Sequence, residues 1–223
     1  MTELFSPLLS KIDTVLFDLD GTLLDTAPDL VHALNRVCDD EGSLKPKFDL
    51  ARSYVSTGAV GLIKLAFPSI KQAELEPLRL RLVNYYSENL CRLTKPFNGV
   101  IPLINELEER EKKWGIVTNK PSSLTNPILN TLGLNSRCVC VVSGDTLSKR
   151  KPHPATILHA LKLSRGSAER SVYIGDAPQD ITAAKAAGVK SVAACWGYIM
   201  PGQNPLKWSA DYTIKSPQEL LSI

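Results

Sequence analysis

The sequence predicts an α/β protein: a parallel β-sheet with helices on both faces, interrupted early by a helical insert. Three observations predict it. A short apolar run, Thr14 to Phe17, ends abruptly in Asp18-Leu19-Asp20-Gly21-Thr22, as a buried strand opening onto a ligand site would. From Thr26 to Lys95 the pattern is helical, with no clear strand. After Gly99, apolar runs of strand length alternate with helical segments up to a last short strand, Tyr212-Thr213-Ile214, which argues for a parallel sheet.

The first strand carries the chemistry. Residues i and i+2 of a strand point the same way, so Asp18 and Asp20 share one face at its C-terminal end. Like charges that close raise each other's pKa; either a cation sits between them or one carboxyl holds a proton. A divalent metal with oxygen ligands meets the first need, and a proton-shuttling acid the second. Asp18 is read as a nucleophile and metal ligand, Asp20 as the acid/base.

Thr26 then caps a helix with Pro28 and Asp29 in its first turn. Ala27, Leu30, Val31, Leu34, Val37 and Cys38 follow helical spacing to an end near Glu41-Gly42. Ser56-Thr57-Gly58 breaks the pattern before Val60 to Phe67, either as a loop reaching over a substrate or as a plain turn between helices. Gln72 to Leu93 is long, amphipathic and rich in leucine. Lys95 to Gly99 is the expected return hinge. Beyond it the expected helices are Val100 to Lys112, Leu124 to Leu132, Ala155 to Leu163 and Pro178 to Ala187. The expected strands are Trp114 to Val117, Cys138 to Val142, Val172 to Ile174 and Lys190 to Ala194.

Composition narrows the function. The chain has 223 residues, 43% hydrophobic and 22% charged, with a formal net charge of +3, ordinary for a soluble globular protein. No basic run is longer than Lys149-Arg150-Lys151, too little for a nucleic-acid footprint. No apolar stretch is long enough to span a membrane, and Met1 to Lys11 has no apolar core of a signal peptide. Five scattered cysteines predict reduced thiols and a cytoplasmic location.

Polar clusters recur after two later strands and in a loop. Ile116-Val117 runs into Thr118-Asn119-Lys120, and Val172-Tyr173-Ile174 into Gly175-Asp176-Ala177-Pro178-Gln179-Asp180. Between them lies Lys149-Arg150-Lys151-Pro152-His153-Pro154. A parallel sheet brings such ends to one edge. The assembled inventory suits attack on phosphorus, where positioning and charge stabilisation dominate. Thr118 and Asn119 are expected to donate to phosphoryl oxygens, Lys151 to offset charge on the phosphate and on Asp18. Asp176 completes a magnesium site, and Asp180 orients ligands or the lysine from behind. His153 suits a helix start as well as a catalytic role. Trp114 and Trp208 are read as packing residues rather than substrate platforms, and Lys120 as a surface lysine, with an approach to the phosphate as its alternative.

In this order, Asp18-Leu19-Asp20-Gly21-Thr22, Thr118-Asn119, Lys151 and Gly175-Asp176 with Asp180 resemble the four motifs of the haloacid-dehalogenase superfamily of phosphohydrolases. The resemblance covers essentially the whole chain. It implies a Rossmann-like three-layer core, residues 1–25 and 96–223, with an all-helical cap inserted at 26–95. It also implies a Mg2+-dependent mechanism through phospho-Asp18. The metal would be held by the Asp18 and Asp176 side chains and the Asp20 backbone carbonyl, and the phosphate by Gly21, Thr22, Thr118, Asn119 and Lys151. Within the superfamily the chain resembles phosphoglycolate phosphatases through Asp25-Thr26-Ala27-Pro28-Asp29, Val117-Thr118-Asn119-Lys120-Pro121, Lys151-Pro152-His153-Pro154 and Trp196-Gly197-Tyr198-Ile199. Leu93 to Gly99, Trp114 and Asn204-Pro205-Leu206-Lys207-Trp208 are instead similar to N-acetylmuramic acid 6-phosphate phosphatases. Ala177 departs from the family, whose members often carry a hydroxyl or acid there. The implied activity is hydrolysis of a small phosphorylated metabolite by a monomer or homodimer. 2-Phosphoglycolate is the first expectation, with N-acetylmuramic acid 6-phosphate or a phosphosugar mutase reaction as alternatives and a non-enzymatic metabolite-binding module as the outside rival.

Overall fold

Residues 8–223 are described here in a computed structural model. The part of the signal-peptide expectation that falls on residues 1–7 lies outside them. Six strands form one parallel sheet: β1 (Thr14–Phe17), β4 (Lys113–Val117), β5 (Val141–Val142), β6 (Ser171–Gly175), β7 (Lys190–Ala194) and β8 (Tyr212–Ile214). Their spatial order is β5-β4-β1-β6-β7-β8, so β1 lies inside the sheet with β4 and β6 on either side.

Alternation along the strands sorts side chains into two layers. Val15, Phe17, Trp114, Ile116, Val172 and Ile174 enter one apolar cluster, shared with α5 (Val100–Glu109) and α6 (Ser122–Thr131). Leu16, Val117 and Tyr173 enter the opposite cluster, shared with α7 (Ala155–Ser164) and α8 (Pro178–Ala186). Being covered on both faces is what makes these strands near-continuous apolar runs. Trp114 packs edge-on to Phe17 at 6.4 Å between ring centroids, its indole donating to Glu108, a packing residue as the sequence predicts.

The helical insert comprises α1 (Ala27–Asp40), α2 (Phe48–Ser53), α3 (Gly58–Ala66) and α4 (Gln72–Glu88). It has its own apolar core, built from Val31, Leu34, Val37, Leu62, Ile63, Leu78 and Leu82, into which Tyr198 projects from the sheet unit. Two strands that periodicity did not reveal, β2 (Leu24–Asp25) and β3 (Lys95–Pro96), pair antiparallel where the chain leaves and returns. Two residues each are too few to show a period. Helix α4 stops at Glu88, short of the expected Leu93, because the Leu93 and Thr94 N–H groups turn back to the Asp29 carboxylate at 2.9 Å. Likewise the expected strand at Cys138 starts only at Val141, since the Arg137 and Cys138 N–H groups still bond to the Leu134 carbonyl. Among the described residues no helix is long and apolar enough to cross a membrane.

Candidate active site

The C-terminal ends of β1, β4 and β6 converge, as parallel neighbours must, and Asp18, Thr118 and Asp176 follow them directly. After Asp18 the chain turns sharply: the N–H groups of Leu23 and Leu24 bond to the Leu19 carbonyl. Gly21 makes this turn possible with φ of +87°, a region glycine enters without strain. A Cβ there would lie 2.2 Å from Asp176 Oδ2, so only glycine lets the loop approach that carboxylate.

Lys151 is the hub. It is 2% exposed, and the three N–H donors of its Nζ are shared among four oxygens, Asp18 Oδ1 and Asp180 Oδ1 at 2.7 Å each, the Tyr173 hydroxyl at 2.8 Å and the Val117 carbonyl at 3.1 Å. Burial opposes its charge, but the Asp18 and Asp180 carboxylates win and raise its pKa. Asp180 stands behind the lysine as the sequence predicts, and its Oδ2 also accepts from the Ala177 N–H at the start of α8.

Asp18 offers Oδ1 to Lys151; its Oδ2 has no hydrogen-bond partner among the described residues. Burial pushes its carboxyl up to about 7; Lys151 pulls against that shift and the Asp180 charge adds to it. Asp176 is held well above the usual carboxylate range by burial and then by the Asp18 and Asp180 charges. Three buried carboxylates, Asp18, Asp176 and Asp180, bring oxygens within 4.8 Å of one another, against the single ammonium of Lys151. That shortfall of positive charge and the all-oxygen donor set fit a hard divalent cation.

Several expected phosphate ligands have other work. The Thr22 hydroxyl donates to Asp176 Oδ1 at 3.1 Å from a fully buried position, because the turn at Gly21 sends it inward. The Asn119 amide clamps the Lys151 backbone, accepting from its N–H at 3.1 Å and donating to its carbonyl at 3.0 Å. Thr118 Oγ1 accepts from the Lys120 N–H at 3.1 Å. The backbone N–H groups of Leu19, Asp20 and Asn119 make no hydrogen bond among the described residues; they are free donors at this edge.

Lys120 corrects the sequence reading. It is 8% exposed rather than on the surface, with Nζ 2.9 Å from Asp20 Oδ1 and 4.6 Å from the centroid of the Tyr86 ring on α4. Asp20 Oδ1 also accepts from Thr26 Oγ1 at 2.6 Å. His153 takes the helix-start role, its Nδ1 accepting from the Ala155 N–H. Ser56 reaches across from the insert: its Oγ lies 3.1 Å from the Tyr198 carbonyl and 3.4 Å from Asp176 Oδ2. Residues to which the sequence assigns no role in joining the two units complete the seam. Tyr198 accepts from the Thr26 and Ala27 N–H groups at 2.7 and 2.9 Å and donates to Asp25, and Arg52 pairs with Asp25. No local spacing announces these partners, since each pair is far apart in the chain.

Between sheet unit and insert lies a cavity of about 840 Å3. Its floor is Asp18, Asp20, Thr118, Asn119 and Lys151; its far wall includes Leu30, Val60, Leu82, Val83 and the Glu76–Arg79 ion pair.

Known proteins resemble this chain over most of its length. The family model described as haloacid dehalogenase-like hydrolase matches residues 15–194. A Xylella fastidiosa protein named phosphoglycolate phosphatase is 41% identical over 207 residues, covering 93% of this chain and 90% of that one. A Pseudomonas aeruginosa protein named N-acetylmuramic acid 6-phosphate phosphatase is 36% identical over 214 residues, covering 96% and 95%. A crystal structure from Haemophilus somnus, described as a predicted phosphoglycolate phosphatase, superposes with a TM-score of 0.85 at 24% identity, covering 95% and 97%.

Proposed function

Since this chain belongs to the haloacid dehalogenase-like hydrolases and is a hydrolase of phosphoric monoesters, we propose that it is a Mg2+-dependent phosphatase that turns 2-phosphoglycolate into glycolate and phosphate through phospho-Asp18. The observation that carries this reading is Asp18: one oxygen is anchored by Lys151 and the other is free, on the floor of the cavity between sheet unit and insert. An anchored carboxylate with one free oxygen is a positioned nucleophile.

The reaction runs in two halves. Asp18 Oδ2 attacks phosphorus, the bond to the leaving oxygen breaks, and Asp20 delivers a proton to that oxygen. Asp20 then takes a proton from the water that attacks phospho-Asp18, which frees phosphate, restores the Asp18 carboxylate and returns Asp20 to its protonated form. The free N–H groups of Leu19, Asp20 and Asn119 bind the phosphoryl oxygens, and Lys151 offsets charge beside them. The Asp18 and Asp176 side chains and the Asp20 carbonyl would hold Mg2+, which supplies neutralising charge on the phosphoryl group when bound. Asp180 keeps Lys151 in place.

The assigned division is a core of residues 1–25 and 96–223 with a cap of 26–95, and the pairing of Asp25 with Lys95 at the seam supports it. The cap covers the site and excludes water. The assigned location is the cytoplasm, a reading that the five scattered, unpaired cysteines support.

The cavity favours a second reading. Its volume far exceeds a two-carbon phosphate ester, and its far wall combines apolar side chains with the Glu76–Arg79 ion pair, which suits a bulkier sugar phosphate such as N-acetylmuramic acid 6-phosphate. The test is phosphate release, with and without Mg2+, compared by kcat/KM for both esters and common sugar phosphates. Phosphoglycolate should lead; a larger kcat/KM for the amino-sugar ester selects the second reading, and phosphate retained in a rearranged sugar reveals a mutase. The Asp18→Asn variant should release no phosphate, and Mg2+-dependent turnover by it overturns the mechanism.

A further inference from the structure

Lys120 is a buried ammonium that none of these steps uses. Its backbone is fixed on both sides, the N–H donating to Thr118 Oγ1 at 3.1 Å and the carbonyl accepting from the Gly144 N–H at 2.9 Å. Its side chain passes the Tyr86 ring of the insert and ends 2.9 Å from Asp20 Oδ1. Thr26 Oγ1 donates to the same oxygen at 2.6 Å. Asp20 Oδ2 has no partner among the described residues, and Asp20 lies on the cavity wall.

We propose that Lys120 is a positioning residue for Asp20: together with Thr26 it occupies Oδ1 and leaves Oδ2 as the single oxygen that exchanges a proton with the leaving group and with water. The inference rests on Asp20 being the proton carrier. An ammonium only donates, so with two donors on Oδ1 a carboxyl proton belongs on Oδ2. When the ester bond breaks, that proton passes from Oδ2 to the leaving alkoxide; when water attacks phospho-Asp18, a proton returns to Oδ2. Lys120 gives up no proton in either step. It holds the carboxyl plane, and Tyr86 of the insert covers the lysine, so the proton carrier is aligned where the insert meets the sheet unit.

The test uses leaving-group dependence. kcat/KM reports the phosphorylation half-reaction, which needs an acid for an alkyl phosphate and hardly for p-nitrophenyl phosphate. The full chain is assayed with both, the alkyl ester being the best one from the substrate comparison, as wild type, Lys120→Met, Lys120→Arg and Asp20→Asn. In Lys120→Met, kcat/KM should fall roughly 30-fold more for the alkyl ester than for the aryl ester, less than the roughly hundredfold or more of losing the general acid outright, because Asp20 itself remains. Lys120→Arg should recover most of the difference. Where the methionine variant does not fold, Lys120→Gln takes its place. If Asp20→Asn shows the leaving-group dependence and the Lys120 variants lose equally on both esters, the positioning role is overturned and the phosphatase reading stands. If Asp20→Asn shows none, the proton-carrier role falls and this inference with it.

Discussion

Replacing Lys151 by methionine tests whether one ammonium holds the carboxylate cluster together. The substitution keeps the chain length and removes the charge from a side chain that is 1% exposed, between Asp18 and the fully buried Asp180. The neighbouring Tyr173 hydroxyl and Val117 carbonyl keep each other at 2.9 Å, so what is lost is mainly charge compensation. Leaving a buried charge without its partner costs about 3–5 kcal/mol. At roughly 2–4 °C per kcal/mol for a chain of this size, the melting temperature should fall by about 10 °C. The assay is thermal unfolding by circular dichroism in a chelator, so that no cation substitutes for the lysine. Lys151→Met, Asp180→Asn and the double variant complete a cycle, in which removing the orphaned Asp180 charge should return about 1–2 kcal/mol. A Lys151→Met loss below about 1 kcal/mol, or a cycle with no coupling, would refute the argument.

Three further outcomes are expected. Adding Mg2+ should raise the melting temperature because it supplies the charge that the acidic cluster lacks: about 2.7 kcal/mol at a hundred times Kd. Asp176→Asn should lose that response, and an unchanged melting curve in the wild type would argue against a cation site. Tyr198→Phe leaves the Thr26 and Ala27 N–H groups without their acceptor and should cost about 1–3 kcal/mol in urea unfolding; full wild-type stability would show that water replaces the hydroxyl there. Burial pushes the Cys140 thiol up to about 12 and Cys138 up to about 11. In the folded protein these thiols therefore stay protonated above the pH at which unfolded thiols ionise. Their contribution to stability is complete below about pH 8.5, the unfolded value, and is lost as pH rises towards these higher values. Fewer than five thiols should react promptly with a disulfide reagent at pH 8 until urea is added, and immediate labelling of all five would count against this burial.

Much of the site was legible because its parts are local. The apolar run that makes Thr14 to Phe17 a strand also sets Asp18 at its end, and the same logic located Thr118 and Asp176. The resemblance to a known family then joined these stretches. Short elements were not legible: β2 and β3 have two residues each, and β5 shrank because Cys138 stays in the turn that follows α6. Lys120 was misjudged because a lysine after a strand is usually solvated; only here does a carboxylate from β1 and a ring from α4 meet it.

Strand and helix periods, the acid at the end of β1 and the glycine that follows are properties of neighbouring residues, and the amino-acid order by itself determined them. The tertiary structure alone decided which side chains share each charge. Lys151 is saturated by four groups from three segments, the Thr22 hydroxyl and Asn119 amide are spent on protein partners, and Tyr198 ties the insert to the sheet unit. Hydrogen bonds and charges act through space over a few ångströms, and the chain that brings those atoms together is more than a hundred residues long between Asp18 and Lys151.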